Sequence, residues 1–576
     1  MKLTLESLKN REAWERAGIS LPAYDVAALA ERTKKAPVWV HMGIGNIFRI
    51  FMGGIADRLV SGRFMDKGIT CVETFDFDLV DKIYRPCDNL TLSVILKNDG
   101  TRDCRVLGAL TEAVKAQAPD AAALDAGRTP GAVPEAGKAP ASASGADRAP
   151  ASAADAGQWE RTKEIFRQAS LQLVSFTITE KGYALYKGDG SYFDFVKADL
   201  ENGPEHAKSA MAVVAAMLLA RYQAGGAPLA LVSMDNCSKN GENLRNSVLT
   251  VGEEWRKRGY VDEGFLAYIS DENRVAFPWT MIDKITPRPS EAVAADLAAL
   301  GIEGMEPVIT SKKTYIAPFA NGEGPQYLVV EDHFPNGRPP FEKAGVYMAD
   351  RETVNRSERM KVTACLNPIH SALGPYGCLL GYELFSDEMR DPQMLALARL
   401  VGYGEGLPMA PDPGIFSPKA FLDEIINERF PNPYLGDTTQ RLSVDMSQIV
   451  GIRFGETIKA YIKRDGNAEA LLGIPLAIAG WLRYLLGVDD EGRPMELAPD
   501  PMLDKLCETL SGVTLGEPES LGDKAESILS DAHIFRVNLY EAGIGERIEA
   551  MLREELAGPG AVRRTLERYL AGDSKE

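Results

Sequence analysis

A chain of 576 residues is long enough for two or three domains, each burying its own core. With 45% hydrophobic and 25% charged residues and no run of about 18 uncharged apolar residues, it reads as a soluble globular protein, with no membrane partner expected. A formal charge of -18 argues against nucleic acid as the main partner and leaves an anionic small molecule open.

The N-terminal MKLTLESLKNREAW mixes charges of both signs and has no apolar h-region, so no secretory signal is read and a cytoplasmic location is the expectation. Val38 to Met42 is a β-prone run that ends in Gly43-Ile44-Gly45-Asn46, and Ile47 to Val60 then carries apolar residues at helical spacing. Gly68 to Glu73, Leu90 to Leu96 and Arg105 to Leu107 extend the β pattern. From about 116 to 157 the composition collapses to Ala, Gly, Pro, Ser and Asp, which predicts a disordered insertion suited to a flexible linker rather than to docking a partner.

Leu171 to Ile178, an Ala-rich helix over Ala210 to Ala220, and Leu229 to Met234 resume the alternation of strand and helix that implies a largely parallel α/β sheet. Beyond about Pro287 longer amphipathic segments take over: Met394 to Tyr403, Phe421 to Phe430, Ala468 to Leu486 and Arg547 to Leu556. The expectation is an α/β domain over 1–287 and a mainly helical domain over 288–576. The seven cysteines contain no CxxC pair and read as reduced, mostly buried thiols.

Three clusters carry candidate chemistry. A Gly43-x-Gly45 turn between strand and helix lets a pyrophosphate approach the backbone, although a tight turn with no ligand is the plain alternative. Glu73, 28 residues beyond Gly45, is the acidic candidate for the ribose hydroxyls. Asn236 and Asn240 follow a strand, where ligand groups collect in open α/β sheets, and both also suit turns. The densest cluster is Glu358 to Ser371. Lys361 is a candidate general base, Asn367 a helix cap, a ligand or both, and His370 a ligand or a hydrogen-bonded core residue.

Read together, these segments resemble the polyol-specific long-chain dehydrogenase family, which contains mannitol dehydrogenases and hexuronate reductases. The family's GxGxFHR appears as Gly43-Ile-Gly-Asn-Ile-Phe-Arg49, and its FPNxMVDRITP as Phe277-Pro-Trp-Thr-Met-Ile-Asp-Lys-Ile-Thr-Pro287. Thr179-Glu-Lys-Gly-Tyr183, Ser233-Met-Asp-Asn236, Glu331-Asp-His-Phe334, Arg338-Pro-Pro340, Glu358-Arg-Met-Lys361 and Leu366-Asn-x-x-His370 occur in the family's order. The resemblance implies a Rossmann-type NAD domain, a helical substrate domain and metal-free catalysis.

On that resemblance Lys361 is the acid/base, Asn236 and Asn367 donate to the oxyanion, His370 holds a substrate hydroxyl, and Glu358 gates proton exchange. Gly43, Ile44, Gly45, Asn46, Phe48, Arg49 and Glu73 are the expected cofactor contacts, and Asp283 and Arg441 the expected substrate contacts. The chain departs from the family in having six rather than five steps from Lys361 to Asn367. It also has Ile449 where mannitol-type members carry a substrate-binding lysine, with Arg453 nearby as a substitute. The spelling around Lys361 most resembles the subgroup that interconverts D-mannonate and D-fructuronate with NAD(H). A neutral polyol, tagaturonate and a noncatalytic NAD-binding protein are the alternatives.

Overall fold

A computed structural model describes residues 1–119 and 153–571. Trp39–Met42, Ile69–Glu73, Leu173–Phe176 and Leu229–Ser233 are buried along their whole length, as strands covered on both faces must be. They form a six-stranded, all-parallel sheet in the order Leu110–Lys115, Ile69–Glu73, Trp39–Met42, Leu173–Phe176, Leu229–Ser233, Val275–Ala276. The period of two divides the side chains. Val40, Met42, Val174 and Phe176 enter one core, while Trp39, Leu173, Ala230 and Val232 enter another on the opposite face.

The chain order reverses on either side of Trp39–Met42, which makes the carboxyl ends of that strand and of Leu173–Phe176 a topological switch point. This is the doubly wound α/β order expected from the sequence.

Two corrections concern boundaries. The first compact unit runs to Val354, past position 287, apart from two short excursions, Lys97–Thr101 and Glu323–Pro325, that group with the second unit. The reason is strand pairing that helical periodicity does not reveal. Thr280–Asp283 pairs with Tyr327–Glu331, which pairs with Tyr347–Ala349, and Phe319–Gly322 joins a further sheet beside Thr91–Leu96. The 116–157 stretch falls mostly outside the described residues. Its described flanks differ from the expectation: Ala116 and Ala118 are buried, the Ala116 N–H extends the ladder by donating to Glu73 O at 2.8 Å, and Ala153–Arg167 is helical.

The second unit is helical from Asn355 onward. Its centre is a pair of buried helices, Asn367–Leu379 and Gly473–Tyr484. They approach closely because Gly480 has no side chain; a Cβ there would lie 2.3 Å from the Tyr376 ring. The orphan N–H groups of the second helix are met by one carboxylate. Glu405 accepts from Leu472, Gly473 and Ile474 at 2.6 to 2.8 Å, a negative cap at the positive end of the helix. Among the described residues no helix is long and apolar enough to cross a membrane.

Candidate functional site

In the first unit the candidate residues gather at the carboxyl edge of the parallel sheet. Gly43 leaves the Trp39–Met42 strand at φ +90°, and a Cβ there would lie 2.3 Å from Thr177 O. Only glycine fits both the angle and the approach. At Gly45 a Cβ would meet nothing within 4 Å, so this side of the turn is open at the start of a helical run. Such a turn, with helix N–H groups directed at it, suits the pyrophosphate of a dinucleotide.

The other expected cofactor contacts are placed as follows by their neighbours within the protein. Phe48 is buried and stacks on His41 with centroids 3.9 Å apart. Arg49 is fully buried and donates to Ala317 O, Phe319 O and Asn46 Oδ1 at 2.7 to 3.0 Å, while Asn46 Nδ2 donates to Tyr315 O. These contacts tie the helix to its neighbours. Ile44 is buried, and its carbonyl accepts from Tyr84.

Glu73 ends its strand as expected, but its carboxylate turns inward. Oε2 accepts the Ile44 N–H at 3.2 Å, and Oε1 accepts those of Thr74, Phe75 and Asp76 at 2.9 to 3.2 Å. Through these contacts the carboxylate braces the glycine turn. Burial raises its pKa even against these four donors.

Further along the edge, Asn236 is exposed just past Leu229–Ser233, whereas Asn240 is buried and clamps Thr280 through its N–H, carbonyl and hydroxyl at 2.8 to 3.0 Å. Asp235, overlooked in the sequence, anchors this corner. Its carboxylate accepts the N–H groups of Ile178 and Thr179 and the Tyr183 hydroxyl, which joins two motifs distant in sequence. Asp283 is buried at the end of its strand.

In the second unit, Glu358 lies half-buried one turn before Lys361, on the same side of the Arg351–Met360 helix. Lys361 is 1% exposed and opens a π-helical turn, Lys361–Cys365, closed by Leu366 N donating to Lys361 O at 3.1 Å. A π turn holds one more residue than an α turn. It accommodates the six-residue step to Asn367.

The next helix starts at Asn367 with no side-chain cap, so the cap alternative falls away. Asn367 Oδ1 is buried and has no hydrogen-bond partner among the described residues.

His370 packs edge-on against Phe385 and tilted against Phe430, with centroids 5.2 and 4.9 Å away. Burial first, then the positive charges of Arg453, Arg429 and Arg441, lower its pKa to about 3, so the ring is neutral at neutral pH. Two of these arginines have acidic partners: Arg429 pairs with Glu323 at 2.7 Å and Arg441 with Asp437 at 2.9 Å. Arg453 differs. Its Nη1 donates to Ser371 Oγ at 2.8 Å, no carboxylate among the described residues pairs with it, and burial lowers its pKa only to about 10, which leaves it a cation. Sequence reasoning missed Ser371, Arg429 and the two phenylalanines, because a serine inside a helix or a phenylalanine in an apolar pattern has no distinguishing mark.

A sequence model of the mannitol dehydrogenase Rossmann domain matches residues 37–342, and one of the mannitol dehydrogenase C-terminal domain matches 353–550. A D-mannonate oxidoreductase of Thermotoga maritima is 48% identical over 572 residues, 98% of either chain. A mannitol 2-dehydrogenase of Aspergillus fumigatus is 33% identical over 347 residues, 58% of this chain and 63% of its own.

Among solved structures, Pseudomonas fluorescens mannitol 2-dehydrogenase, in a ternary complex with NAD and D-mannitol, superposes with a TM-score of 0.65 at 24% identity, covering 99% of this chain and 100% of its own. A substrate-free D-sorbitol dehydrogenase gives 0.73 at 23% identity, covering 96% of this chain and 98% of its own. These two likenesses are of fold.

Proposed function

Because this chain belongs to the mannitol dehydrogenase family, oxidoreductases that act on CH–OH groups, we propose that it interconverts D-mannonate and D-fructuronate with NAD(H). The observation that carries the choice of substrate is Arg453, a half-buried cation with no acidic partner among the described residues, in the electrostatic environment of His370. A sugar acid brings the carboxylate that such a guanidinium can bind through two parallel hydrogen bonds. A neutral polyol does not. Arg453 stands four residues after Ile449, on the same face of the Met446–Arg453 helix, so it supplies a charge one turn from the position where mannitol-type members carry lysine.

The open glycine turn at Gly43 and Gly45 would hold the pyrophosphate of NAD, which when bound supplies or accepts the hydride at the substrate carbon. The chain's own residues manage the oxygen. In reduction the ketone oxygen becomes an alkoxide, and Lys361 donates its proton to it; in oxidation Lys361 takes the hydroxyl proton. The amides of Asn236 and Asn367 donate to the developing oxyanion, where each such preorganised donor is typically worth about 3 kcal/mol. Glu358, one turn from Lys361, passes protons between the lysine and solvent. Neutral His370 and Asp283 bind substrate hydroxyls, Arg441, paired with Asp437, is a further substrate contact, and Arg453 serves the carboxylate.

The test is NADH consumption by purified protein with D-fructuronate, D-tagaturonate and D-fructose in parallel. Rapid turnover of fructuronate alone is the expected result. Preference for fructose would move the chain to the polyol branch, and silence with all three in a protein that binds NADH would indicate a noncatalytic role.

A further inference from the structure

We infer that Ser371 is a positioning residue that confers selectivity for a carboxylate-bearing substrate by fixing the guanidinium of Arg453. The inference rests on the assignment of Arg453 to the substrate carboxylate. Ser371 is fully buried, and its Oγ is the acceptor for Arg453 Nη1 at 2.8 Å. It follows His370 on the same helix, so the two side chains leave about 100° apart. His370 meets Phe385 and Phe430, while Ser371 meets the arginine on Met446–Arg453.

The contrast with the neighbouring arginines gives the hydroxyl its meaning. Arg429 and Arg441 are held by Glu323 and Asp437, whose charges offset their own. A serine holds Arg453 in one geometry through a neutral acceptor and leaves the full positive charge, and most of the guanidinium's five donors, for an incoming anion. A carboxylate at position 371 would orient the arginine equally well but would cancel the charge that selects the substrate. Alanine would leave the charge but release the geometry, which raises the entropy lost on binding.

The test compares Ser371→Ala, Ser371→Thr and Arg453→Met in the full-length protein, reading kcat and KM for D-fructuronate and the NADH Kd by fluorescence. Ser371→Ala is expected to raise KM about tenfold, the loss of roughly one charge-assisted hydrogen bond, with kcat within about twofold and NADH Kd unchanged. Ser371→Thr, which keeps the hydroxyl, should restore KM. An unchanged KM, or a fall in kcat as large as the rise in KM, would overturn the inference. Should the alanine variant fail to fold, Ser371→Cys is read by the same criteria.

Arg453→Met distinguishes the carboxylate contact from its positioning by Ser371. If it leaves KM for fructuronate unchanged, or if the native protein does not turn over fructuronate, the carboxylate assignment fails and the inference falls with it. If it raises KM while Ser371→Ala does not, only the positioning role fails.

Discussion

Tyr376 Oη lies 2.6 Å from Glu555 Oε1 and 2.7 Å from Leu476 O, so its single proton can serve only one of them. The conflict disappears when Glu555 carries a proton, because the acid then donates to Tyr376 and Tyr376 donates to Leu476. Burial pushes the Glu555 pKa up from 4.5 to about 8, in accord with that arrangement. A folded pKa raised above the unfolded one contributes stability that is present below about pH 4.5 and lost as pH rises through about 8. Glu555→Gln mimics the neutral acid and lacks this dependence. Urea unfolding from pH 5 to 8 should show the native protein losing stability relative to the variant, by a few kcal/mol on the order of 1.4 per pH unit. Parallel curves would mean that Glu555 is ionised in the fold.

Lys361 is enclosed at the start of a π turn, where its side chain is withdrawn from bulk solvent. Lys361→Ala should lower turnover by at least about two orders of magnitude while leaving the NADH Kd nearly unchanged. Steady-state kinetics and NADH fluorescence together decide this. Near-normal turnover would remove Lys361 from the chemistry.

The two glycines of the turn should separate in their effects. Gly43→Ala places a Cβ 2.3 Å from a backbone oxygen at φ +90°, and reduced folded yield and thermal stability are expected. Gly45→Ala meets nothing within 4 Å and should fold normally. If the pyrophosphate lies against this turn, its added methyl should still weaken NADH binding about tenfold or more, at most a few kcal/mol. Normal NADH binding by a well-folded Gly45→Ala would place the cofactor elsewhere.

The strands around the switch point were legible because Val38 to Met42 and Leu229 to Met234 are short apolar runs next to turn residues, which is how a doubly covered parallel strand reads. Leu110–Lys115 escaped because it lies at the sheet edge and carries Glu112 and Lys115 among its apolar residues. The segment after Pro287 looked like the start of the helical domain because its strands are two to five residues long, too short for a period to register. The chemistry-bearing cluster was visible from residue types alone. Side-chain direction was not: nothing in the order of letters shows that Arg49 and Glu73 turn inward, or that a serine holds Arg453.

For Glu73 the bracing role and the expected ribose contact can be told apart directly. With four N–H donors on its two oxygens it braces the glycine turn and has little capacity to read a ribose. Glu73→Gln replaces one acceptor oxygen with a donor facing an N–H group, which should cost about 1 to 3 kcal/mol of stability. By disturbing the Ile44 N–H it should also loosen NADH binding. If the side chain were a ribose ligand, removing its charge would instead favour NADPH by relieving repulsion of the 2'-phosphate. The two roles therefore predict different results in one pair of titrations. An unchanged ratio of NADH to NADPH affinity, with lower thermal stability, supports the brace, whereas a clear shift toward NADPH in a fully stable variant would restore the ribose contact.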